Sequence, residues 1–271
     1  LVQNGDFSEE GVEEVSNGSF SQEGVELVTG TNSDMSGANS WVTGLGSLDF
    51  NINTTVQNKM WCNFTTGNQQ VILPNTIEAG KSYLVSLTAK LNSGTATSVM
   101  IGGFTSNQTS NTVFNITPTS TTVTYSGYIN SDTNTSLSIG IIAANNNGSD
   151  FEFDNVSVRE VGQDWELQNG WSIGDDVAVF SGTASAYRKL YQENILTIGE
   201  TYKLTFDIVS INSGSIKNFS QSNPTSYSTI GTKTEYFTAT FDDLFLEPTT
   251  DADCSITNIS VKEVGQNWDL Q

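Results

Sequence analysis

The chain has 271 residues, 36% of them hydrophobic and 10% aromatic, enough to bury one large or two medium cores. Thirty acidic residues against ten basic ones leave a net charge of −20, which repels nucleic-acid backbones and anionic membrane surfaces and leaves a cation or a neutral polar ligand as compatible partners. Histidine is absent, which removes Ser-His-Asp and Cys-His catalysis, His-ligated zinc and histidine pH switching.

Ser, Thr, Asn and Gly dominate the remainder, a mixture that suits short strands and turns and not long helices. The two cysteines, Cys62 and Cys254, fall in different halves of the chain, so the expectation is two buried thiols and no disulfide framework. No run of 18 apolar residues occurs, and residues 1–6 (LVQNGD) have neither the basic nor the apolar region of a signal peptide.

In chain order, the first feature is a short repeat. Residues 1–13 (LVQNGDFSEEGVE) are echoed by residues 14–26 (EVSNGSFSQEGVE), and a decayed third copy begins at Leu27-Val28-Thr29. Asn-Gly supplies a turn before each Phe. One copy is expected as the first strand of module 1, and the other as a linker or as packing on a neighbour.

Residues 77–87 (IEAGKSYLVSL) match residues 196–206 (LTIGETYKLTF) in pattern: an apolar lead-in, a Gly-x-Ser/Thr-Tyr turn, then strict alternation. That period of two predicts half-buried strands. Thr122-Val123-Thr124-Tyr125 pairs in the same way with Lys233-Thr234-Glu235-Tyr236.

The strongest repeat follows. Residues 154–168 (DNVSVREVGQDWELQ) and 257–271 (TNISVKEVGQNWDLQ) lie 103 residues apart, with ten of 15 positions identical. Gly80 to Asp154 spans 74 residues and Gly199 to Thr257 spans 58, so the first module carries about 16 more, expected as loops around 92–120. The closing GQNWDLQ repeats the opening of the second module, which predicts a junction or the start of a further module.

These repeats divide the chain into residues 1–26 (tandem repeat, first strand or linker), 27–161 (module 1), 162–263 (module 2) and 264–271 (junction). The fold class expected is all-β, two tandem antiparallel β-sandwich modules.

The strings NGDFS, IEAGKSYLVSLTAK, LTIGETYKLTFDIV and FEFDNVSVREV resemble the galactose-binding-like jelly roll of carbohydrate-binding modules. The combination LTIG-x-TYK, TEYFTAT and NISVKEVGQ-W is similar to repeats of bacteriophage tail-fibre and virion structural proteins. The resemblance covers nearly all of residues 27–263 and implies two-sheet sandwiches closed by strands near 151–160 and 255–263. It also implies glycan binding through exposed aromatics and a structural calcium, for which Asp6 and Asp154 match the ligand positions; Thr257 replaces Asp154 in module 2. Hard oxygen ligands suit that ion. Both aspartates could equally cap turns.

Sugar rings stack on aromatic faces through their apolar C–H patches. Trp41 and Trp61 are the candidate platforms in module 1, and Trp171, Tyr187 and Tyr191 in module 2, with burial in the core as the competing reading for each. Trp165 and Trp268, at the repeated junction, are expected to pack structurally. A glycosidase would need two carboxylates roughly 5–9 Å apart, and nothing marks such a pair, so the expectation is no enzyme. The readings carried forward are three. The first is a phage virion surface fibre or decoration protein, adhesin or spacer, of homo-oligomeric build and bound to other virion subunits and host polysaccharide. The second is a purely structural capsid- or tail-bound fibre or cement protein. The third is a bacterial adhesin or accessory module of a secreted enzyme. All imply a virion-surface or extracellular location.

Overall fold

The computed structural model describes residues 9–46, 58–65, 67–103, 113–131, 133–142, 148–182 and 188–265, together with the backbone of 49–53. The chain is all-β and forms two antiparallel sandwiches. One compact unit comprises residues 23–161, the other residues 9–22 and 162–265.

The 13-residue repeat explains that division. Its copies form two short strands, β1 (Glu10–Glu13) and β2 (Glu23–Glu26), both with the sequence EGVE. In module 1 there follow β3 (Val42–Leu45), β4 (Asp49–Asn53), β5 (Lys59–Phe64), β6 (Gln69–Leu73), β7 (Ser82–Ser93), β8 (Val99–Gly102), β9 (Phe114–Ile116), β10 (Val123–Asn130), β11 (Leu137–Ile141) and β12 (Ser149–Val161). Module 2 contains β13 (Glu166–Leu167), β14 (Trp171–Gly174), β15 (Val177–Ser181), β16 (Leu190–Gln192), β17 (Thr201–Ser213), β18 (Ile216–Asn218), β19 (Ser226–Tyr227), β20 (Gly231–Thr238), β21 (Leu244–Pro248) and β22 (Asp253–Val264).

In module 1 one sheet runs β10-β7-β12-β5-β4, with β2 also on β12, and the other runs β3-β6-β11-β8-β9. Module 2 repeats this strand for strand: β20-β17-β22-β15-β14 with β1 on β22, facing β13-β16-β21-β18-β19. The segment 1–26 is thereby shared between the two units. The later copy, β2, pairs with β12 of module 1, and the earlier copy, β1, pairs with β22 of module 2. Residues 14–22 stay with module 2, where Val15 and Phe20 are buried and the Phe20 ring lies 5.3 Å from that of Trp165.

Each EGVE strand is held in the same manner. The Glu26 carboxylate accepts from the Ser157 hydroxyl and the Val158 N–H, and Glu13 accepts from Ser260 and the Val261 N–H. Burial alone would raise the Glu26 pKa, but the hydrogen bonds from Ser157, Val158, Val28 and Arg159 outweigh it and hold that carboxyl below its usual range. Glu23 pairs with Arg159 at 2.9 Å, while Glu10 pairs with Lys203 and Lys262.

Other sequence motifs resolve into local chemistry. In Gly-x-Ser/Thr-Tyr, Gly80 and Gly199 have φ of 80° and 94°, a region that costs glycine nothing. The following Tyr83 and Tyr202 rings enter the core, and their hydroxyls accept the Glu78 and Thr197 N–H groups, each at 2.8 Å. The repeated Asn of DNVSV and TNISV has positive φ in both modules (Asn155, 50°; Asn258, 52°) and lies beside a register shift in each closing strand. Residues 92–120, expected as loops, contain β8 and β9, because Val99, Ile101 and Ile116 belong to the core.

The two cysteines are buried and unpaired. Cys62 sits opposite Phe151 on β12, and Phe180 sits opposite Cys254 on β22. Phe151 and Cys254 are 103 residues apart, the repeat period, so both cores hold one cross-strand Cys–Phe pair with its order reversed. Total side-chain volume is thereby kept. Burial pushes the Cys62 thiol well up, and burial with Asp253 nearby raises Cys254 to about 12.

Reversal of the pair in module 2 tests this packing. Phe180→Cys alone should cost about 3–5 kcal/mol through a cavity. Cys254→Phe alone should cost about 1–3 kcal/mol through overpacking. The double variant should recover most of the summed loss in urea unfolding, with a coupling energy of about 1 kcal/mol or more.

Candidate functional site

Trp41 immediately precedes β3 and Trp165 immediately precedes β13, so the two occupy one scaffold position. Trp41 is 4% exposed and donates its Nε1–H to the Asn32 carbonyl at 2.9 Å; Trp165 is fully buried and donates to the Asn17 carbonyl at 3.0 Å. Trp171 is buried too, edge-on to Phe180 at 5.4 Å, with Nε1–H on the Arg188 carbonyl at 2.7 Å. Neither Trp41 nor Trp171 offers a ring face to a ligand. Both are core anchors, because an indole satisfies its one donor on a backbone carbonyl and buries the rest.

Trp61 is half-buried on the outer side of β5, where Met60, Cys62 and Phe64 alternate inward. It lies opposite Glu152, whose carboxylate is 3.8 Å from Lys59 and 4.0 Å from Lys90. Tyr187, Asp6 and Trp268 lie outside the described residues.

Tyr191 belongs to a larger group on the outer face of module 2's five-stranded sheet. On β21 three apolar residues run in succession; Leu244 and Leu246 are fully buried in the core, and strand alternation turns Phe245 to the other face, where it is 8% exposed and covered by its neighbours. Phe245 lies in register with Tyr191, ring centroids 6.0 Å apart. Phe241, half exposed, stands edge-on to Phe245 at 5.6 Å. The Lys189 ammonium sits 3.7 Å above the Phe245 ring, a cation–π contact. Arg188 pairs with Glu247 at 3.0 Å, and Lys217 lies in register with Glu247. The result is a row of three rings bordered by fixed charges of both signs.

The same face of module 1 differs. Its β6–β11 register pairs Ile72 with Ser138 where module 2 pairs Tyr191 with Phe245, and Gly140 stands where module 2 has Glu247. The aromatic row is therefore no requirement of the scaffold. Sequence reasoning found Tyr191 and missed Phe241, Phe245 and Lys189. The available signal was the run Leu244-Phe245-Leu246, in which alternation must turn one member away from the core face.

Asp154 occupies the closing-strand position held by Thr257 in module 2. The Thr257 hydroxyl lies 2.7 Å from the Asp176 carbonyl and 3.3 Å from that of Ser19. Burial raises the Asp154 pKa, opposed by the Asn155 N–H (2.7 Å) and by Lys59, while nearby Asp34 adds to the rise. Among the described residues no three His, Cys, Asp or Glu side chains converge as a metal-ligand set.

A scan against protein-family models finds no match, and a search of curated proteins finds no relative. Similar solved structures include the CBM22-1–CBM22-2 tandem domain of Paenibacillus barcinonensis Xyn10C, with 12% identity and a TM-score of 0.43, covering 90% of this chain and 99% of that one. The family 11 carbohydrate-binding module of the Clostridium thermocellum cellulase Lic26A-Cel5E gives 18% identity and a TM-score of 0.36 over 51% of this chain and 95% of that one. A Sulfolobus turreted icosahedral virus structure gives 12% identity and a TM-score of 0.26 over 78% and 59%.

The Asp154 environment yields a pH-dependent expectation. A carboxyl whose native pKa is raised contributes stability below its unfolded pKa and loses it as pH rises through the native value. In chelator, Asp154→Asn should therefore raise the thermal midpoint at about pH 7 and change it little near pH 3, where the native group is protonated. A midpoint lowered at neutral pH would contradict the assignment.

Proposed function

We propose that the chain is a non-catalytic carbohydrate-binding protein whose ligand surface is the outer face of module 2's five-stranded sheet. The observation that carries this reading is the row Tyr191–Phe245–Phe241, in which the buried Phe245, capped by Lys189, supports the partly exposed Tyr191 and the half-exposed Phe241, on a scaffold that module 1 builds with Ile72 and Ser138 instead. Apolar ring faces beside charged and polar groups suit a polyhydroxylated, uncharged ligand: C–H patches pack on the rings while hydroxyls meet Lys189, Glu247 and Lys217. A net charge of −20 favours neutral over acidic polysaccharides. Trp61, flanked by Lys59, Lys90 and Glu152, is a second and smaller candidate surface in module 1.

The setting we propose is a virion-surface fibre or decoration protein, supported by the resemblance of the repeat strings to such proteins. An accessory module of a secreted polysaccharide-degrading enzyme is served by the same face. Repetition raises avidity when weak sites engage one polymer together. A second reading, a structural fibre component, is favoured by one observation: Val12 and Val25, at the same position of the two EGVE strands, are both prominently exposed, as apolar contacts of a multi-subunit assembly would be. We also propose calcium at Asp154, the closing-strand position that the resemblance to carbohydrate-binding modules gives the ion; burial, with a smaller contribution from Asp34, raises its carboxyl pKa, which a divalent cation would offset. Calcium should then raise the thermal midpoint of the native chain and leave that of Asp154→Asn unmoved.

Affinity electrophoresis through gels holding neutral polysaccharides, including those of host surfaces, tests the main reading. The native chain should be retarded by at least one of them. Tyr191→Ala and Phe241→Ala should each weaken that retardation about tenfold or more, as truncation of a central aromatic contact does. Free migration of the native chain in every gel would overturn the proposal.

A further inference from the structure

Module 2 carries a second feature, at the end strand of its other sheet; it adjoins the aromatic row at Thr240, which precedes Phe241. Along β20, the end strand of the six-stranded sheet, lies an open cleft of about 340 Å³ lined by Thr201, Gln221, Asn223, Tyr236, Thr238 and Thr240. That volume is at the lower end of small-ligand sites, which run from about 300 to 1,000 Å³. Tyr236 is 63% exposed, a large ring left uncovered on the outer side of the strand. The segment that forms the opposite wall is pinned in place: the Ser220 carbonyl accepts from the Thr240 N–H at 2.8 Å, and the Ser220 hydroxyl accepts the Phe245 N–H at 2.8 Å.

The residue beside Tyr236 shows that the wall is built at a cost. Glu235 points inward opposite Leu204 and is 7% exposed. Its Oε1 accepts from the Gln221 side-chain amide at 2.6 Å, while Oε2 is buried with no partner. A buried carboxylate oxygen left unpaired weakens a fold. The scaffold does not require it. In module 1 the strand that pairs with β7 places Gly127 opposite Val85, at the register position that Glu235 holds opposite Leu204. What the carboxylate does in module 2 is fix the Gln221 amide at the cleft.

We propose that this cleft is a separate subsite for one neutral pyranose ring, the terminal or branch residue of a polysaccharide. Tyr236 stacks on the sugar face, Gln221 and Asn223 bond its hydroxyls through their amides, and Thr201, Thr238 and Thr240 supply hydroxyl partners. Glu235 acts as a positioning residue behind Gln221. The lining offers amides and hydroxyls and no charged side chain, which selects an uncharged polyol. One exposed ring and a small volume accommodate one sugar unit, whereas the three-ring row on the other sheet suits a run of them. The inference rests on the glycan-binding reading of the module but concerns a different surface.

The test is a titration of the full chain, labelled with nitrogen-15, with the methyl pyranosides of glucose, galactose, mannose, xylose and the two N-acetylhexosamines. At least one should shift the Gln221 and Asn223 side-chain amide signals saturably. Tyr236→Ala, at an exposed position, should keep a folded spectrum and weaken that binding about tenfold or more. Glu235→Ala should also weaken it, and Glu235→Gln should restore it, since an amide oxygen can still accept from Gln221. A purely structural role for Glu235 would alter stability and leave the sugar titration unchanged. Absence of amide shifts with every pyranoside, or native-like binding by Tyr236→Ala, overturns the subsite. If polysaccharide retardation persists in that case, the aromatic-face reading stands alone; if pyranosides bind where no polysaccharide is retained, the subsite stands and the face reading falls.

Discussion

Each module depends on one long closing strand with two edges to fill. β12 and β22 run 13 and 12 residues, and β7 or β17 pairs along one edge of each. The other edge is too long for β5 or β15 alone, which covers only the first part. An open remainder would leave backbone donors and acceptors unpaired and invite association with other strands. The EGVE strands complete it, and Glu13 or Glu26 fastens each through the serine and following N–H of the closing strand. The duplication at the amino terminus is thus a structural requirement of having two modules: one copy for each closing strand.

Once that frame is closed, the two sandwiches are free to differ elsewhere. Their cores trade the members of a Cys–Phe pair, their closing strands share a left-handed Asn, and their Tyr hydroxyls hold the same turn. These positions are where packing and hydrogen bonding leave little choice. The outer face of the five-stranded sheet is under no such restriction. There module 1 has Ser138 and Gly140, and module 2 has Phe245 and Glu247, the kind of divergence that a binding surface permits. The Gly127-to-Glu235 difference is of the same sort, with the added feature that module 2 accepts a destabilising group there.

Much of the fold was legible because it is written in local rules. Alternation over 202–208 marked β17, and Gly-x-Ser/Thr-Tyr marked its turn. The 103-residue repeat marked β12 and β22. The third sequence pairing was displaced by three residues: Tyr236 corresponds to Tyr128, opposite Leu84, and not to Tyr125, because only the ladder with β7 and β17 fixes the register. The candidate site was less legible. Trp41 and Trp61 look alike in sequence, and only the third dimension shows that Trp41 shares the buried position of Trp165. Phe241, in the turn between β20 and β21, carried no motif, and Phe245 only the run Leu244-Phe245-Leu246, whose inward and outward members the register of its neighbours decides. Assignment of the two EGVE copies to different modules is a long-range pairing that no local pattern encodes.

Two modules of one scaffold have thus diverged, and the proposed ligand surface lies on one face of the second. Hydrogen–deuterium exchange of the full chain, with and without a polysaccharide that retards it, tests this most directly. Exchange should slow in peptides spanning 188–192 and 241–247, with the matching module 1 strands, 69–73 and 137–141, unchanged. Protection confined to the module 1 strands, or spread equally over both modules, would contradict it.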